Sequence, residues 1–280
     1  MTNPEIAPVA IGGVGGSGTR LVAQILIQLG FNLGEHLNQA LDNKWFSFLF
    51  KRHRLFGKLS DQTDFDMSVA VFLSATFGGD PLESFHITWL RREFGNGELT
   101  NRKIIALIES SRREKRSPTP WGWKEPNTHL FIDRIDTSFP GIRYIHVVRN
   151  GLDMAFSDNQ NQLRNWGRYF LKDVDLRLAN VPQASLKYWC AVHRRVLNLA
   201  TKLNSRFFWL DFDNFCLDPS TGLQQLAKFL DIGLTNESSV TLSALIHPPD
   251  SIGRFRNQRM KDFDKRDVDY VQSLGFNVRY

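Results

Sequence analysis

The chain has 280 residues, of which 42% are hydrophobic, and its 35 Lys and Arg against 29 Asp and Glu give a net charge of +6. This composition excludes a disordered chain and favours an anionic ligand, while the dispersal of the basic residues argues against a nucleic-acid partner. We expect a cytoplasmic protein without a membrane span, because the sequence shows no apolar run of about 18 residues, no signal peptide and no disulfide framework.

The first predicted unit is a strand, a glycine-rich loop and a helix. A short apolar strand precedes five glycines between Gly12 and Gly18, and apolar residues then recur at helical spacing. Such a loop lets backbone N–H groups approach an anion, and the helix N-terminus adds the positive end of its dipole. The glycine spacing is that of a Walker A motif, but Thr19 and Arg20 stand where an NTPase has Lys and Ser or Thr. We therefore expect a phosphate-binding loop that is poorly equipped to hold magnesium.

The stretch between residues 44 and 116 is predicted to be mostly helical and is too long for a simple crossover between two strands. We interpret it as a helical insertion that shapes a substrate pocket. Its aromatic cluster is more typical of a hydrophobic core than of a binding surface, and consists of Trp45, Phe46, Phe48 and Phe50. We interpret the basic run Arg112–Arg116 as a solvated helix end.

Three further strands are predicted, and helices alternate with them. The strands lie at 121–124, 144–148 and 206–212, and the helices at 128–139, 152–157, 182–203, 221–230 and from about 261, with a polar, mobile loop at 159–180. This alternation predicts an α/β fold, a P-loop-type parallel β-sheet flanked by helices, with a helical insertion after the first βα unit, in a single domain of residues 1–280. Because ligands bind at the carboxyl ends of such strands, we expect the glycine loop, Lys124 and Arg149 to meet at one edge.

The segment Val148–Ser157, with the sequence VRNGLDMAFS, is the most specific pattern in the chain. Arg149 ends an apolar, β-branched strand, and Ser157 follows eight residues later in the predicted helix. A guanidinium group at a strand end can bind a phosphate with two parallel hydrogen bonds, and a serine hydroxyl can contact the same group.

Together, the loop Gly15–Arg20 and the segment Val148–Ser157 resemble the two nucleotide motifs of PAPS-dependent sulfotransferases, where PAPS is 3′-phosphoadenosine 5′-phosphosulfate. In that family the motifs are a loop of the form x-G-T after the first strand and a segment V-R-[ND]-x-x-D-x-x-x-S. Trp123–Pro126 and the tail Ser251–Arg256 also resemble segments of the family. The resemblance covers residues 9–36, 121–159 and 251–256.

The resemblance implies that PAPS is the cofactor and PAP the product. A sulfuryl group would move, by metal-independent in-line transfer, to a hydroxyl or amine of a small-molecule or glycan acceptor. The 5′-phosphosulfate would be bound by the loop residues Gly15, Gly16, Ser17, Gly18, Thr19 and Arg20. Arg149 and Ser157 would bind the 3′-phosphate, and the tail with Arg254 and Arg256 would reach the nucleotide. Gly16 stands where many family members have a basic residue, and Arg20 or Lys124 would supply that charge.

The acceptor must lose a proton as it attacks sulfur, and a positioned carboxylate or imidazole can take it. The candidates for this base are Glu35, His36 and Glu125. Glu35 is favoured because several sulfotransferases carry their base just after the helix that follows the phosphate loop. Glu125 has the simpler interpretation of a salt-bridge partner that positions Lys124.

Two alternatives remain open at the level of the sequence. The first is a P-loop kinase acting on a small molecule, which the missing Walker lysine disfavours. The second is a catalytically weak nucleotide-binding relative of the sulfotransferases, which Gly16 keeps open.

Overall fold

A computed structural model describes residues 6–56, 62–114, 119–172, 174–177 and 179–279. At its centre is a parallel sheet with the strand order β2-β1-β3-β4. The strands are β1 Val9–Gly13, β2 Gly122–Lys124, β3 Arg143–Val148 and β4 Phe207–Asp211. The register pairs Ile11 with both Lys124 and Ile145. The predicted parallel sheet is therefore confirmed, and the carboxyl ends of its strands lie along one edge.

Helices flank this sheet. In chain order they are α1 Thr19–Gln28, α2 Lys44–Phe50, α3 His53–Phe56, α4 Gln62–Phe77, α5 Ser84–Phe94, α6 Glu98–Ser111, α7 Ile132–Ser138, α8 Gly151–Ala155, α9 Asn161–Phe170, α10 Val181–Leu203, α11 Phe212–Leu217, α12 Pro219–Leu230, α13 Asn236–Ser243 and α14 Lys265–Ser273. Helices α2 to α6 form the predicted insertion between α1 and β2, and the end of the basic run, at 115–116, lies outside the described residues. Of the helices in the described part of the chain, none is long and apolar enough to cross a membrane.

Side chains of β3 alternate between two apolar clusters, one on each face of the sheet. Ile145 and Val147 pack with α1 and α12, whereas Tyr144 and Val148 belong to a cluster that includes the insertion and α10. This alternation follows from the period of two along a strand. The predicted aromatic core of the insertion is confirmed for Trp45, Phe46 and Phe50, which are buried, and Phe48 is partly buried against the same cluster.

The predicted mobile loop at 159–180 is wrong in its first half, where the chain forms α9. This segment is rich in polar residues, but Leu163 and Trp166 are buried in the core. The amphipathic spacing of these two side chains places them on the same face of the helix, and tertiary packing stabilises a helix that composition alone disfavours.

The helix predicted at 128–139 begins earlier, as a 3-10 helix at Pro126–Phe131 that leads into α7. Glu125 caps it, since its carboxylate accepts a hydrogen bond from the backbone N–H of Asn127 at 2.6 Å. Pro126 suits the first position because it has no N–H group that would need a partner.

Three buried histidines lie behind the sheet edge. His129, His146 and His193 have no exposed surface, and the ring centre of His146 lies 6.2 Å from that of His129 and 5.2 Å from that of His193. Burial lowers the pKa of His129 and of His193 to about 3, and it lowers the pKa of His146 well below the ordinary value. All three rings are therefore neutral at pH 7.

We predict that the protein loses stability as the pH falls below about 6.5, the ordinary pKa of histidine. The unfolded chain then binds protons that the folded chain excludes, which costs about 1.4 kcal/mol per pH unit for each buried histidine. His193→Phe should lower this slope by about that amount in urea unfolding between pH 7 and pH 5. His247→Phe, at an exposed position, is the control and should leave the slope unchanged. Equal slopes in His193→Phe and the unmodified protein would contradict the prediction.

Candidate active site

The glycine-rich loop connects β1 to α1 through two residues in the left-handed region, Gly16 with φ 95° and Gly18 with φ 92°. A Cβ atom on Gly18 would lie 2.1 Å from the ring of Phe212, so this position has room for glycine only. The backbone N–H of Ser17 donates to the carbonyl of Val14 at 3.0 Å, which closes the turn.

The loop has the properties of an anion site. The hydroxyl of Ser17 is buried, and within the described residues it has no hydrogen-bond partner. No side chain in the described part of the chain caps the start of α1, so the dipole and N–H groups of the helix are available to a ligand. A buried hydroxyl without a partner is costly unless a bound group supplies one. The loop therefore fits a phosphate or phosphosulfate group.

Arg149 follows β3 and is buried at the same edge of the sheet. Its Nε atom donates to a carboxylate oxygen of Asp213 at 3.2 Å, and its Nη2 atom donates to the hydroxyl of Ser251 at 3.1 Å. The other carboxylate oxygen of Asp213 accepts from the backbone N–H of Asn150 at 2.9 Å. The contact between Arg149 and Asp213 therefore fixes the direction of the guanidinium group at the end of β3.

Ser157 lies close to the loop but not in a helix. The predicted helix at 152–157 is instead α8, which ends at Ala155, and Ser157 stands in the following turn, where its hydroxyl accepts from the N–H of Asn159 at 3.2 Å. A Cβ atom on Gly16 would be 3.9 Å from the Ser157 hydroxyl. The structure thus brings the second motif against the first.

The tail is held in the site by Asp153 of α8. Its buried carboxylate accepts from the backbone N–H groups of Gly253 at 2.7 Å and Phe255 at 3.1 Å. Burial raises the pKa of this carboxyl group, and the two N–H donors partly offset that effect. Arg254 donates to the carbonyl of Phe156 at 3.3 Å, while Arg256 is exposed.

Lys124 is the last residue of β2 and Glu125 follows it, but the two side chains have different surroundings. The Lys124 ammonium is buried and donates to Asp42 and, at 2.9 Å, to the carbonyl of Ala40. The Glu125 carboxylate accepts from the N–H and side-chain amide of Asn127, and Lys51 of the insertion lies 3.8 Å from it. Burial raises the pKa of Glu125, and the charge of Lys51 is the largest opposing effect.

Glu35 and His36 contact the insertion at the end of α6. Glu35 is half-exposed and forms an ion pair with Arg113. The Nε2 atom of His36 lies 3.4 Å from the hydroxyl of Ser110, and its ring packs on Trp45 with 4.4 Å between centres.

The comparisons with known proteins agree with this geometry. Residues 8–236 of the chain match the sulfotransferase family. The chain belongs to the sulfotransferase family. It is an enzyme that transfers a sulfuryl group, and nothing in the comparisons supports the kinase alternative. No curated protein matches the sequence.

Two solved structures share the fold of this sulfotransferase. The sulfotransferase domain of the Synechococcus PCC 7002 olefin synthase matches with a TM-score of 0.54 and 13% identity, over 99% of this chain and 97% of that one. The sulfotransferase domain from the curacin biosynthetic pathway matches with a TM-score of 0.53 and 14% identity, over 98% and 99% of the two chains. At these identities the likeness concerns the fold alone.

Sequence reasoning missed the partners that hold the motifs of the sulfotransferase in place. Asp153 was visible as the acidic position of the V-R-N-x-x-D pattern, although its two tail contacts were not. Asp213 follows β4, so an acidic residue after the fourth strand was the available signal for the contact with Arg149. The side-chain nitrogen of Gln162 in α9 donates to the carbonyl of Gly13 at the start of the loop, at 3.2 Å. This contact has no signal in the sequence, because the polar composition of the segment predicts an irregular loop.

We predict that Gly18→Ala destabilises the sulfotransferase and abolishes binding of PAP. An alanine would carry left-handed backbone strain of about 1–2 kcal/mol and would also overlap the ring of Phe212. Gly30→Ala is the matched control, since Gly30 has a similar φ of 87° but no atom within 4 Å of the added Cβ. Urea unfolding should show a loss for Gly30→Ala equal to the strain alone and a larger loss for Gly18→Ala. Equal losses, with PAP binding intact in both variants, would contradict the prediction.

Proposed function

We propose that this sulfotransferase transfers the sulfuryl group to a hydroxyl or amine of a small-molecule or glycan acceptor without a metal ion. One observation carries the proposal: the glycine loop, Arg149 and Ser157 lie at the same edge of the sheet. In this loop the buried hydroxyl of Ser17 has no hydrogen-bond partner among the described residues. When bound, PAPS supplies the sulfuryl group and the phosphate that leaves.

The loop and the second motif divide the nucleotide between them. The N–H groups of the loop and the hydroxyls of Ser17 and Thr19 hold the 5′-phosphosulfate, with Gly15, Gly16 and Gly18 allowing close approach. Arg149 and Ser157 bind the 3′-phosphate. Support comes from the buried position of Arg149, where desolvation strengthens a charged hydrogen bond. Arg254 and Arg256 reach the nucleotide from the tail.

Negative charge on the leaving phosphate is stabilised by the loop N–H groups and by Arg20. Arg20 is exposed in the first turn of α1, and helical side chains lean towards the N-terminus, which is the side of the loop. Lys124 is the second candidate, and its ammonium is already neutralised by Asp42. Thr19 and Arg20 occupy the positions of the Walker lysine and of the magnesium-holding hydroxyl, which favours transfer without a metal.

The nucleotide assignment predicts that Arg149→Ala reduces the binding free energy of PAP by about 2–4 kcal/mol, because a charged contact to the 3′-phosphate is lost in a desolvated site. The binding free energy of adenosine 5′-monophosphate, which lacks that phosphate, should fall much less. Arg206→Ala is the matched control, since Arg206 pairs with Asp136 at the opposite end of the sheet. Calorimetry in EDTA measures the binding of both nucleotides to the unmodified protein, to Arg149→Ala and to Arg206→Ala. Equal losses for the two nucleotides would overturn the assignment, and failure of the unmodified protein to turn over labelled PAPS in EDTA would overturn metal-independent transfer.

Among Glu35, His36 and Glu125, we propose Glu125 as the general base. Two properties support it: Glu125 follows β2 at the edge of the sheet where the loop begins, and burial raises its pKa, which makes the carboxylate a stronger base than an exposed glutamate. Glu35, which its position after α1 favours, is the alternative. It is half-exposed and forms an ion pair with Arg113.

Glu125→Gln should keep the side-chain shape and lower turnover by about 10²–10⁴-fold, while leaving PAP affinity nearly unchanged. Glu35→Gln is the matched control and should turn over within a few-fold of the unmodified enzyme. The pH profile of kcat/KM should show an acid limb above the ordinary range of glutamate, because the raised pKa keeps Glu125 protonated at low pH. Loss of turnover in Glu35→Gln or His36→Ala, with normal turnover in Glu125→Gln, would assign the base to that residue.

A further inference from the structure

Gln162, the second residue of α9, joins the start of the phosphate loop to the core. Its side-chain nitrogen donates to the carbonyl of Gly13, the last residue of β1, at 3.2 Å. Its side-chain oxygen lies 3.2 Å from Nε2 of His129 and 3.4 Å from the hydroxyl of Tyr188. Gln162 is itself buried, with 7% of its surface exposed. Three separate elements, β1, the 3-10 helix at 126–131 and α10, therefore meet at one amide group.

The direction of this amide is fixed by its partners. The backbone carbonyl of Gly13 can only accept, so the side-chain nitrogen of Gln162 faces it and the side-chain oxygen faces His129 and Tyr188. The hydroxyl of Tyr188 donates to that oxygen, and burial raises the pKa of this hydroxyl, which keeps its hydrogen in place. Burial lowers the pKa of His129 to about 3, and the neutral ring donates to the same oxygen in the tautomer that carries its hydrogen on Nε2.

A second contact shows that α9 and the turn before it cover the loop. A Cβ atom on Gly15 would lie 3.6 Å from the side-chain nitrogen of Asn159 and 3.7 Å from Cγ of Gln162. On the other side, a Cβ atom on Gly13 would lie 2.4 Å from the carbonyl oxygen of Val147 in β3. The beginning of the loop is thus confined between β3 and α9.

We propose that Gln162 is a positioning residue, which holds the start of the phosphate loop so that its backbone N–H groups converge on the 5′ end of the donor nucleotide. This inference rests on the proposed function of the loop. The position of the loop backbone matters in this chain because Gly16 brings no charge to the loop, so the backbone N–H groups share the contact only with the hydroxyls of Ser17 and Thr19 and with Arg20. Small displacements of binding groups have large effects on rate when the reaction depends on orientation.

The proposal is tested with Gln162→Met, which has similar size and flexibility but no amide. We expect PAP and adenosine 5′-monophosphate to lose affinity equally, by about tenfold, and kcat to fall by at least as much, while KM for the acceptor stays within twofold. A side chain that only supported the fold would not separate the donor nucleotide from the acceptor in this way. Gln183→Leu is the control, since Gln183 also donates to a backbone carbonyl, that of Asp262, but at an exposed site on α10.

Tyr188→Phe is the second variant, in case Gln162→Met does not fold. It removes one of the two donors to the amide oxygen and leaves the bond to Gly13 possible, so we expect a loss of the same kind but only about two- to threefold. If the unmodified protein does not bind PAP, the proposed function fails. If it binds PAP and both variants bind equally well, or if Gln162→Met weakens PAP but not adenosine 5′-monophosphate, the role assigned to Gln162 is wrong.

Discussion

Two consecutive residues after β4, Phe212 and Asp213, join the two halves of the proposed nucleotide site. The ring of Phe212 lies where a Cβ of Gly18 would be, and the carboxylate of Asp213 pairs with Arg149 and with the N–H of Asn150. The guanidinium of Arg149 also lies 5.5 Å from the centre of the Phe212 ring. The ion pair is buried, so removing either partner would leave a charge without compensation, at a cost of about 3–5 kcal/mol. The geometry of both motifs therefore depends on where β4 ends.

A network of ion pairs connects the helices of the insertion. Asp64 and Glu93 are buried carboxylates, and the arginines around them are Arg52, Arg54 and Arg92, at 2.7–3.6 Å. Burial lowers the pKa of Arg52 to about 10, and the two carboxylates oppose that effect. Lys51, next to Arg52, reaches Glu125 at the sheet edge. Lys51 thus connects the ion-pair network of the insertion to Glu125, the candidate base.

The elements with strong local patterns were predictable. Strands β1 to β4, the long helix α10 and the glycine loop were expected within a few residues, because buried strands need β-branched and apolar residues and α10 repeats apolar residues at helical spacing. The start of the 3-10 helix at 126–131 was not predictable, since it depends on the capping carboxylate of Glu125. The helix α9 was not predictable either, since it depends on the burial of Leu163 and Trp166. Local propensity is weak compared with such tertiary contacts.

The sequence alone determined the fold class, the family resemblance and the presence of a glycine-rich loop, because these depend on residue types at short spacings. It also predicted that Arg149 and Ser157 belong to the same site as this loop. It did not determine which side chains hold those residues. Asp213 and Arg149 are far apart along the chain, as are Gln162 and Gly13, and no local spacing relates them. Its position after α1 favours Glu35 over Glu125, but the sequence does not show the surroundings of the two carboxyl groups. Glu35 is half-exposed and pairs with Arg113, whereas Glu125 is buried and has Asn127 and Lys51 as partners. The protonation of a carboxyl group depends on the water and charges around it, and only the tertiary structure assembles that environment.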